Sequence, residues 1–164
     1  MLALRKASID DLVEITEIYN EAIINTTATF DTQPKTLEEQ KTWFDSHQPN
    51  YPILIAEQDN LVVGWASLSK WSDRCAYSGT AEVSLYVRKE YRGKGIGRQL
   101  LKALIEEGKT INLHTIIARI AGNNKVSHNL FESEDFQKIG AMKEVGRKFG
   151  KLLDVYLMQY IYGD

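Results

Sequence analysis

Tyr91-Arg-Gly-Lys-Gly-Ile-Gly97 sets three glycines at alternate positions among basic side chains. Glycine lets a backbone turn tightly and bring its N–H groups up to a ligand with no side chain in the way. Ile96, Leu100 and Leu104, with Leu101 and Ile105 beside them, form an apolar stripe at helical spacing. That stripe predicts a helix from about Gly95 to Lys109. A glycine turn at a helix N-terminus forms an anion site, because the first N–H groups lack partners and the helix dipole is positive there. Arg92, Lys94 and Arg98 add positive charge where phosphates would sit. The competing reading is a basic, solvated turn.

On the upstream side, residues 79–87 read as a strand. Alternation puts Ala81, Val83, Leu85 and Val87 on one face and Glu82, Ser84 and Tyr86 on the other. On the downstream side Thr115–Ile120 reads as a strand, so the glycine loop sits inside a strand–helix–strand crossover. Residues 2–7 predict a first strand. Ser8-Ile-Asp-Asp11 and Thr36-Leu-Glu-Glu39 are helix-start boxes, each a hydroxyl followed three residues on by a carboxylate. The first opens a helix with Leu12, Ile15, Ile18, Tyr19, Ala22 and Ile23 on one face; the second opens a shorter helix through Trp43 and Phe44. Between them lies a polar, Thr-rich loop from Asn25 to Pro34 with Phe30 as its large apolar residue. Strands at about 52–57 and 61–69 join across Asp59-Asn60, a turn signal. A helix over Lys125–Ser133 and strands at about 136–146 and 151–161 complete the chain. With no repeat, low-complexity tract or linker, residues 1–164 read as one α/β domain with a mixed, largely antiparallel sheet.

Of the 164 residues 43% are apolar and 26% charged, the balance of an ordinary globular protein. A formal net charge of −2 supplies no global attraction to nucleic acid or an anionic membrane, and no basic-aromatic stripe replaces it. The N-terminus lacks the order of a signal peptide and no apolar run approaches spanning length, so a cytoplasmic location is expected. Cys75 is the single cysteine, and His47, His114 and His128 are scattered, which argues against a disulfide or a metal site.

Phosphate-binding patterns then separate. A P-loop needs Gly-Lys-Ser/Thr, but Gly95 follows Lys94. A dinucleotide fingerprint needs Gly-x-Gly-x-x-Gly, and the spacing is Gly93-x-Gly95-x-Gly97 without the repeating strand–helix pattern. A third pattern, Arg/Gln-x-x-Gly-x-Gly/Ala, is met at every position by Arg92 through Gly97.

That pattern is the pyrophosphate loop of the GNAT acetyltransferase superfamily, which the chain resembles over nearly its full length. Within it the chain most resembles the phosphinothricin and methionine sulfoximine/sulfone N-acetyltransferases. Four segments carry the resemblance: Ile18-Tyr-Asn20 into Thr29-Phe-Asp-Thr-Gln-Pro34; Arg74-Cys-Ala-Tyr77 with Thr80–Val87; Asn124-Lys-Val-Ser127-His-Asn-Leu130; and Lys148–Val155. The resemblance implies the GNAT (acyl-CoA N-acyltransferase) fold, a twisted, largely antiparallel mixed sheet flanked by helices. It implies acetyl-CoA as co-substrate, no metal, and pairing as a homodimer. Leu85, Tyr86 and Val87 would bond the pantetheine arm as an added strand does, and Arg92, Gly93, Lys94, Gly95, Ile96, Gly97 and Arg98 would hold the pyrophosphate. Asn124 and Ser127, at a helix start, either cap the turn or bind the cofactor, or both.

The amine acceptor must lose a proton before attack. Glu82 is the candidate base by its place on the strand, and the resemblance puts the family's base there. A strand glutamate ordinarily titrates at about 4.3, so burial would have to raise it for efficient work. No Cys-His arrangement accompanies Cys75, so direct transfer is expected over an acetyl-cysteine. Where many relatives have a tyrosine, and this subfamily often a histidine, Phe131 stands; either Tyr86 donates the final proton or the thiolate leaves unprotonated. The usual Gly-Phe reads Asp135-Phe136. For an amino-acid-like substrate, Arg74 is expected to bind the carboxylate, with Ser72 and Asp73 nearby, Phe30 and Tyr77 as walls, and Glu82 and Ser84 facing the acceptor. Acetylation of another amine (polyamine, peptide or protein lysine) and non-catalytic acetyl-CoA sensing are the competing functions.

Overall fold

The computed structural model describes residues 1–163; Asp164, the last residue of the expected domain, lies outside them. In chain order the elements are β1 (Leu2–Lys6), α1 (Leu12–Asn25), α2 (Leu37–His47), β2 (Ile53–Gln58), β3 (Leu61–Lys70), β4 (Thr80–Val87), α3 (Ile96–Thr110), β5 (Thr115–Ala121), α4 (Lys125–Ser133), β6 (Gln137–Lys148) and β7 (Lys151–Ile161). The strands form a seven-stranded sheet in the order β1-β2-β3-β4-β5-β7-β6. Every neighbouring pair is antiparallel except β4–β5. No described helix is long and apolar enough to cross a membrane.

Local chemistry explains the boundaries. The Thr36 hydroxyl accepts the Glu39 N–H at 3.1 Å and starts α2 as its box predicts. The Asp11 carboxylate accepts the Ser8 N–H at 2.8 Å, but the chain first makes one tight 3-10 turn over Ile9–Asp11 before α1 begins. Asp59 and Asn60 both have positive φ, 52° and 63°, the twist a two-residue hairpin turn requires between β2 and β3.

Two apolar clusters sandwich the sheet, and strand alternation assigns residues to each. On β2, Leu54 and Ala56 join Leu100, Leu101 and Leu104 of α3, whereas Ile53 and Ile55 join Leu12, Ile15 and Ile18 of α1 and Phe44 of α2. Helices α1 and α2 therefore cover one face and α3 the other. The edge strand β6 is different: Gln137 through Glu144 are exposed, including Ile139 and Met142.

Helix α4 ends in a paired hydrogen-bond motif. Phe136 N–H reaches Phe131 C=O at 3.0 Å and Asp135 N–H reaches Glu132 C=O at 3.1 Å. The Phe131 and Phe136 rings pack edge-on 5.0 Å apart, the apolar contact that accompanies such a cap. This geometry places Asp135 at φ 67°, the left-handed region that glycine occupies without strain. The unusual Asp-Phe pair thus keeps the glycine conformation at an energetic cost. Asp135→Gly is expected to stabilise the fold by about 0.5–1 kcal/mol, raising the thermal midpoint by about 1–4 °C. A midpoint that stays put or falls in a melting scan contradicts the strain.

Candidate active site

Strands β4 and β5 pair through three registers only, Thr80 with Thr115, Ala81 with Ile116 and Glu82 with Ile117. Beyond Glu82 they part, and a cleft of about 500 Å³ opens between them, lined by Val83–Tyr86 and Ala118–Ala121. On its other edge β4 stays bonded to β3, with Ala66 opposite Leu85, Trp65 opposite Tyr86 and Gly64 opposite Val87. The parted edge of β4 therefore presents backbone donors and acceptors with no strand to meet them.

The glycine loop follows directly. Gly93 and Gly95 adopt φ of 76° and 82°, and open space surrounds the place a side chain would occupy at either. Gly97 differs: a Cβ there would meet Leu85 at 3.4 Å and Leu130 at 3.5 Å, ordinary packing distances, so α3 lies directly against β4 and α4 at this point. The N–H groups of Gly95, Ile96, Gly97 and Arg98 have no backbone acceptor among the described residues. The Ile96 side chain is buried in the core, so only its backbone is available to a ligand. Two of the three basic side chains of the loop have acidic partners. Arg92 pairs with Glu21 and Arg98 with Glu134, each at 2.8 Å, which offsets two of the three loop charges. Among the described residues Lys94 has no carboxylate partner, and it lies over the Tyr91 ring.

At the start of α4 the Asn124 side chain accepts the Ser127 N–H at 3.2 Å, and both residues line the cleft. Capping and access to a ligand thus coexist at Asn124. Phe131 closes the same wall, 6% exposed.

At the root of the cleft Glu82 is not a lone carboxylate. Arg119 Nε donates to Oε2 at 2.6 Å and Arg119 Nη2 to Oε1 at 2.7 Å. Hydrogen bonding to Glu82 raises the Arg119 pKa further. The burial called for around Glu82 is thus accompanied by a bound cation. Ser84 and Tyr86 share the Glu82 face, as alternation predicted, and line the cleft. Burial pushes the Tyr86 phenol well above the usual tyrosine range, so it holds its proton.

The 26–31 loop roofs the cleft. Thr27 Oγ1 donates to Asn123 Oδ1 at 2.9 Å, and buried Lys148 donates from Nζ to Thr29 C=O at 2.7 Å. The Tyr19 hydroxyl contacts both Thr29 and Asp31. Phe30 lines the cleft and lies so close to β6 that a Cβ at Gly146 would fall 2.2 Å from its ring.

The cleft does not gather every expected residue. Ser72, Asp73, Arg74 and Tyr77 lie on the segment between β3 and β4, away from its lining. Asp73, Arg74 and Tyr77 are exposed; Asp73 pairs with Lys70 at 3.2 Å. The segment makes a single tight turn over Cys75–Tyr77 that leaves these side chains outward. Val87 also lies outside the lining, packed near Gly97. Arg119, Lys148 and Asn123 were not anticipated. Arg119 did leave a signal, as the one charge within the apolar run Thr115–Ala121.

These features suit acetyl-CoA: an open strand edge for an amide-bearing arm, and free N–H donors for a pyrophosphate. Comparison with known proteins agrees. The acetyltransferase (GNAT) domain model matches residues 4–157. An L-methionine sulfoximine/L-methionine sulfone acetyltransferase of Pseudomonas paraeruginosa is 42% identical, over 96% of this chain and 92% of its own. A phosphinothricin N-acetyltransferase of Streptomyces coelicolor is 34% identical, over 89% and 88%. The crystal structure of a GNAT superfamily phosphinothricin acetyltransferase from Sinorhizobium meliloti in complex with AcCoA superposes with a TM-score of 0.96. It is 36% identical and covers 99% of this chain and 89% of that one. With an open β4 edge, a helix-capped glycine loop and this likeness over nearly its full length, the chain belongs to the GNAT acetyltransferase family.

Proposed function

We propose that the protein, as one acetyltransferase domain over residues 1–164, moves the acetyl group of acetyl-CoA directly onto the α-amine of amino acids. The acceptors are those with a tetrahedral, oxygen-bearing tail, such as methionine sulfone, methionine sulfoximine and phosphinothricin. The observation that carries the mechanism is the sharing of one cleft by the free β4 edge, the Asn124–Ser127 turn and Glu82. The relatives' printed activities support the acceptor class.

Acetyl-CoA supplies an activated thioester. The parted edge at Leu85–Val87 aligns its arm, and the backbone from Gly93 to Arg98, with Lys94, holds the pyrophosphate. Arg92 and Arg98 contribute through structure, since Glu21 and Glu134 already occupy them. Glu82 takes the ammonium proton, directly or through a water. The freed nitrogen forms the amide bond as the C–S bond breaks, and backbone N–H groups of β4 meet the charge that develops on the carbonyl oxygen. Tyr86 is a hydroxyl on the cleft wall that can pass a proton to the departing thiolate as it regains one from the second N–H of the acetylated nitrogen; Phe131 has none to give. A neighbouring cavity of about 330 Å³, lined by Gln40, Trp43, Trp65, Ser84 and Tyr86 among others, gives the acceptor tail room.

We propose further that the chain acts in the cytoplasm and pairs as a homodimer through β6 and β7. Ile139, Phe149 and Leu152 stand exposed on that hairpin at the sheet edge, an apolar surface that a second copy would cover.

Acetyl-CoA-dependent thiol release on the three amino acids, spermidine and a lysine peptide tests the activity. Glu82→Gln is expected to lower kcat/KM by about 10²-fold or more while acetyl-CoA still raises the melting temperature. Turnover confined to spermidine or the peptide would overturn the acceptor class. Gly95→Val forces a β-branched residue into left-handed geometry and is expected to raise the KM for acetyl-CoA about tenfold. Light scattering is expected to give twice the chain mass, reduced to a single chain by Phe149→Asp.

A further inference from the structure

Arg119 is the guanidinium of the cleft lining, and no role has yet been assigned to it. Glu82 stands in register with Ile117, and Arg119 is the next residue on that face of β5, so the two long side chains meet diagonally where the strands begin to part. Their bidentate pair is wet: the Arg119 side chain is 53% exposed and that of Glu82 21%. Such a pair contributes little to folding stability. It does hold one positive and one negative charge side by side at the end of a cleft. Arg119 has five N–H donors, of which Glu82 takes two; among the described residues the others have no partner. The Trp71 ring, 5.8 Å from the guanidinium carbon, flanks it.

The head of a free amino acid is the complement of this pair: an ammonium and a carboxylate on one carbon. We propose that Arg119 binds the α-carboxylate of the acceptor while Glu82 receives its α-ammonium. This rests on the amino-acid acceptor proposed above. A zwitterion of zero net charge meets a pair of zero net charge, so no charge is left unpaired when the cleft fills. The planar fork matches a carboxylate in two parallel hydrogen bonds. The acceptor's ammonium then stands beside Glu82 where the guanidinium stood. Its proton passes to Glu82 while Arg119 keeps the carboxylate anchored. Arg119 thereby selects an α-amine over a polyamine or a lysine ε-amine, the task that sequence reasoning gave to Arg74, which lies outside the cleft.

The test compares methionine sulfone with the same molecule carrying hydrogen in place of its carboxyl group. In the unaltered enzyme kcat/KM should favour the amino acid by about 100-fold. Arg119→Gln should collapse that ratio to within a few-fold of one, mainly by raising the KM for methionine sulfone. Arg119→Lys, which restores the charge without the fork, should recover part of it. A purely structural hold on Glu82 would instead lower kcat on both acceptors together and leave the ratio intact, which overturns the proposal. So does equal use of both acceptors by the unaltered enzyme, a result that needs no variant and leaves acetyl transfer to amines standing. Absence of turnover on any amino acid by the unaltered enzyme would overturn the acceptor class itself, and this inference with it.

Discussion

The parting of β4 from β5 after three paired registers is the constraint on which the site depends. Parallel strands joined by a crossover helix ordinarily stay bonded along their length. Here separation leaves five of the eight β4 residues with an unpaired edge, opens the cleft, and leads the chain toward the N-terminus of α3. The cost of unpaired backbone groups is tolerable because the cleft is open to water and an extended ligand can complete the ladder. Core packing holds the strand in place from its other side: Ala81 and Val83 are buried against α3, and β3 bonds its far edge throughout.

Charges around this opening are arranged in pairs. Arg88 reaches Glu14 and Glu17, Arg92 reaches Glu21, Arg98 reaches Glu134, and Arg119 reaches Glu82. Three of these five contacts tie the segment after β4 to α1, a fourth ties α3 to the end of α4, and the fifth ties β5 to β4. Basic residues that look like phosphate ligands in sequence thus also fasten the elements that shape the loop. On the proposed reading phosphate recognition falls to backbone donors, whose direction is set by Gly93 and Gly95.

The roof of the cleft is fastened from remote parts of the chain. Lys148, 5% exposed, spends its ammonium on the carbonyl of Thr29, and burial lowers its pKa below the usual lysine range. Tyr19 on α1 and Asn123 after β5 hold the same loop. Gly146 of β6 leaves room for the Phe30 ring. A loop without regular structure is thereby fixed in place over the cleft by three separate parts of the chain: β6, α1 and the turn after β5.

Local chemistry was legible in the sequence. Capping boxes, apolar stripes and the Asp59-Asn60 turn marked the elements, and strand alternation placed Glu82, Ser84 and Tyr86 on one face. The glycine loop could be read because its requirement is local: positive φ and a free helix start are properties of seven consecutive residues. Pairing across long separations was not legible, because no period or spacing records it. Glu82 and Arg119 are 37 residues apart and Lys148 and Thr29 119 apart; only the closing of the sheet brings them together. The same holds for Arg74, whose chemistry suits a carboxylate but whose segment turns it to solvent. Sequence alone determined which residues could do the chemistry, since that follows from side-chain type and local backbone. Tertiary structure decided which of them meet, since that depends on where β4 leaves β5.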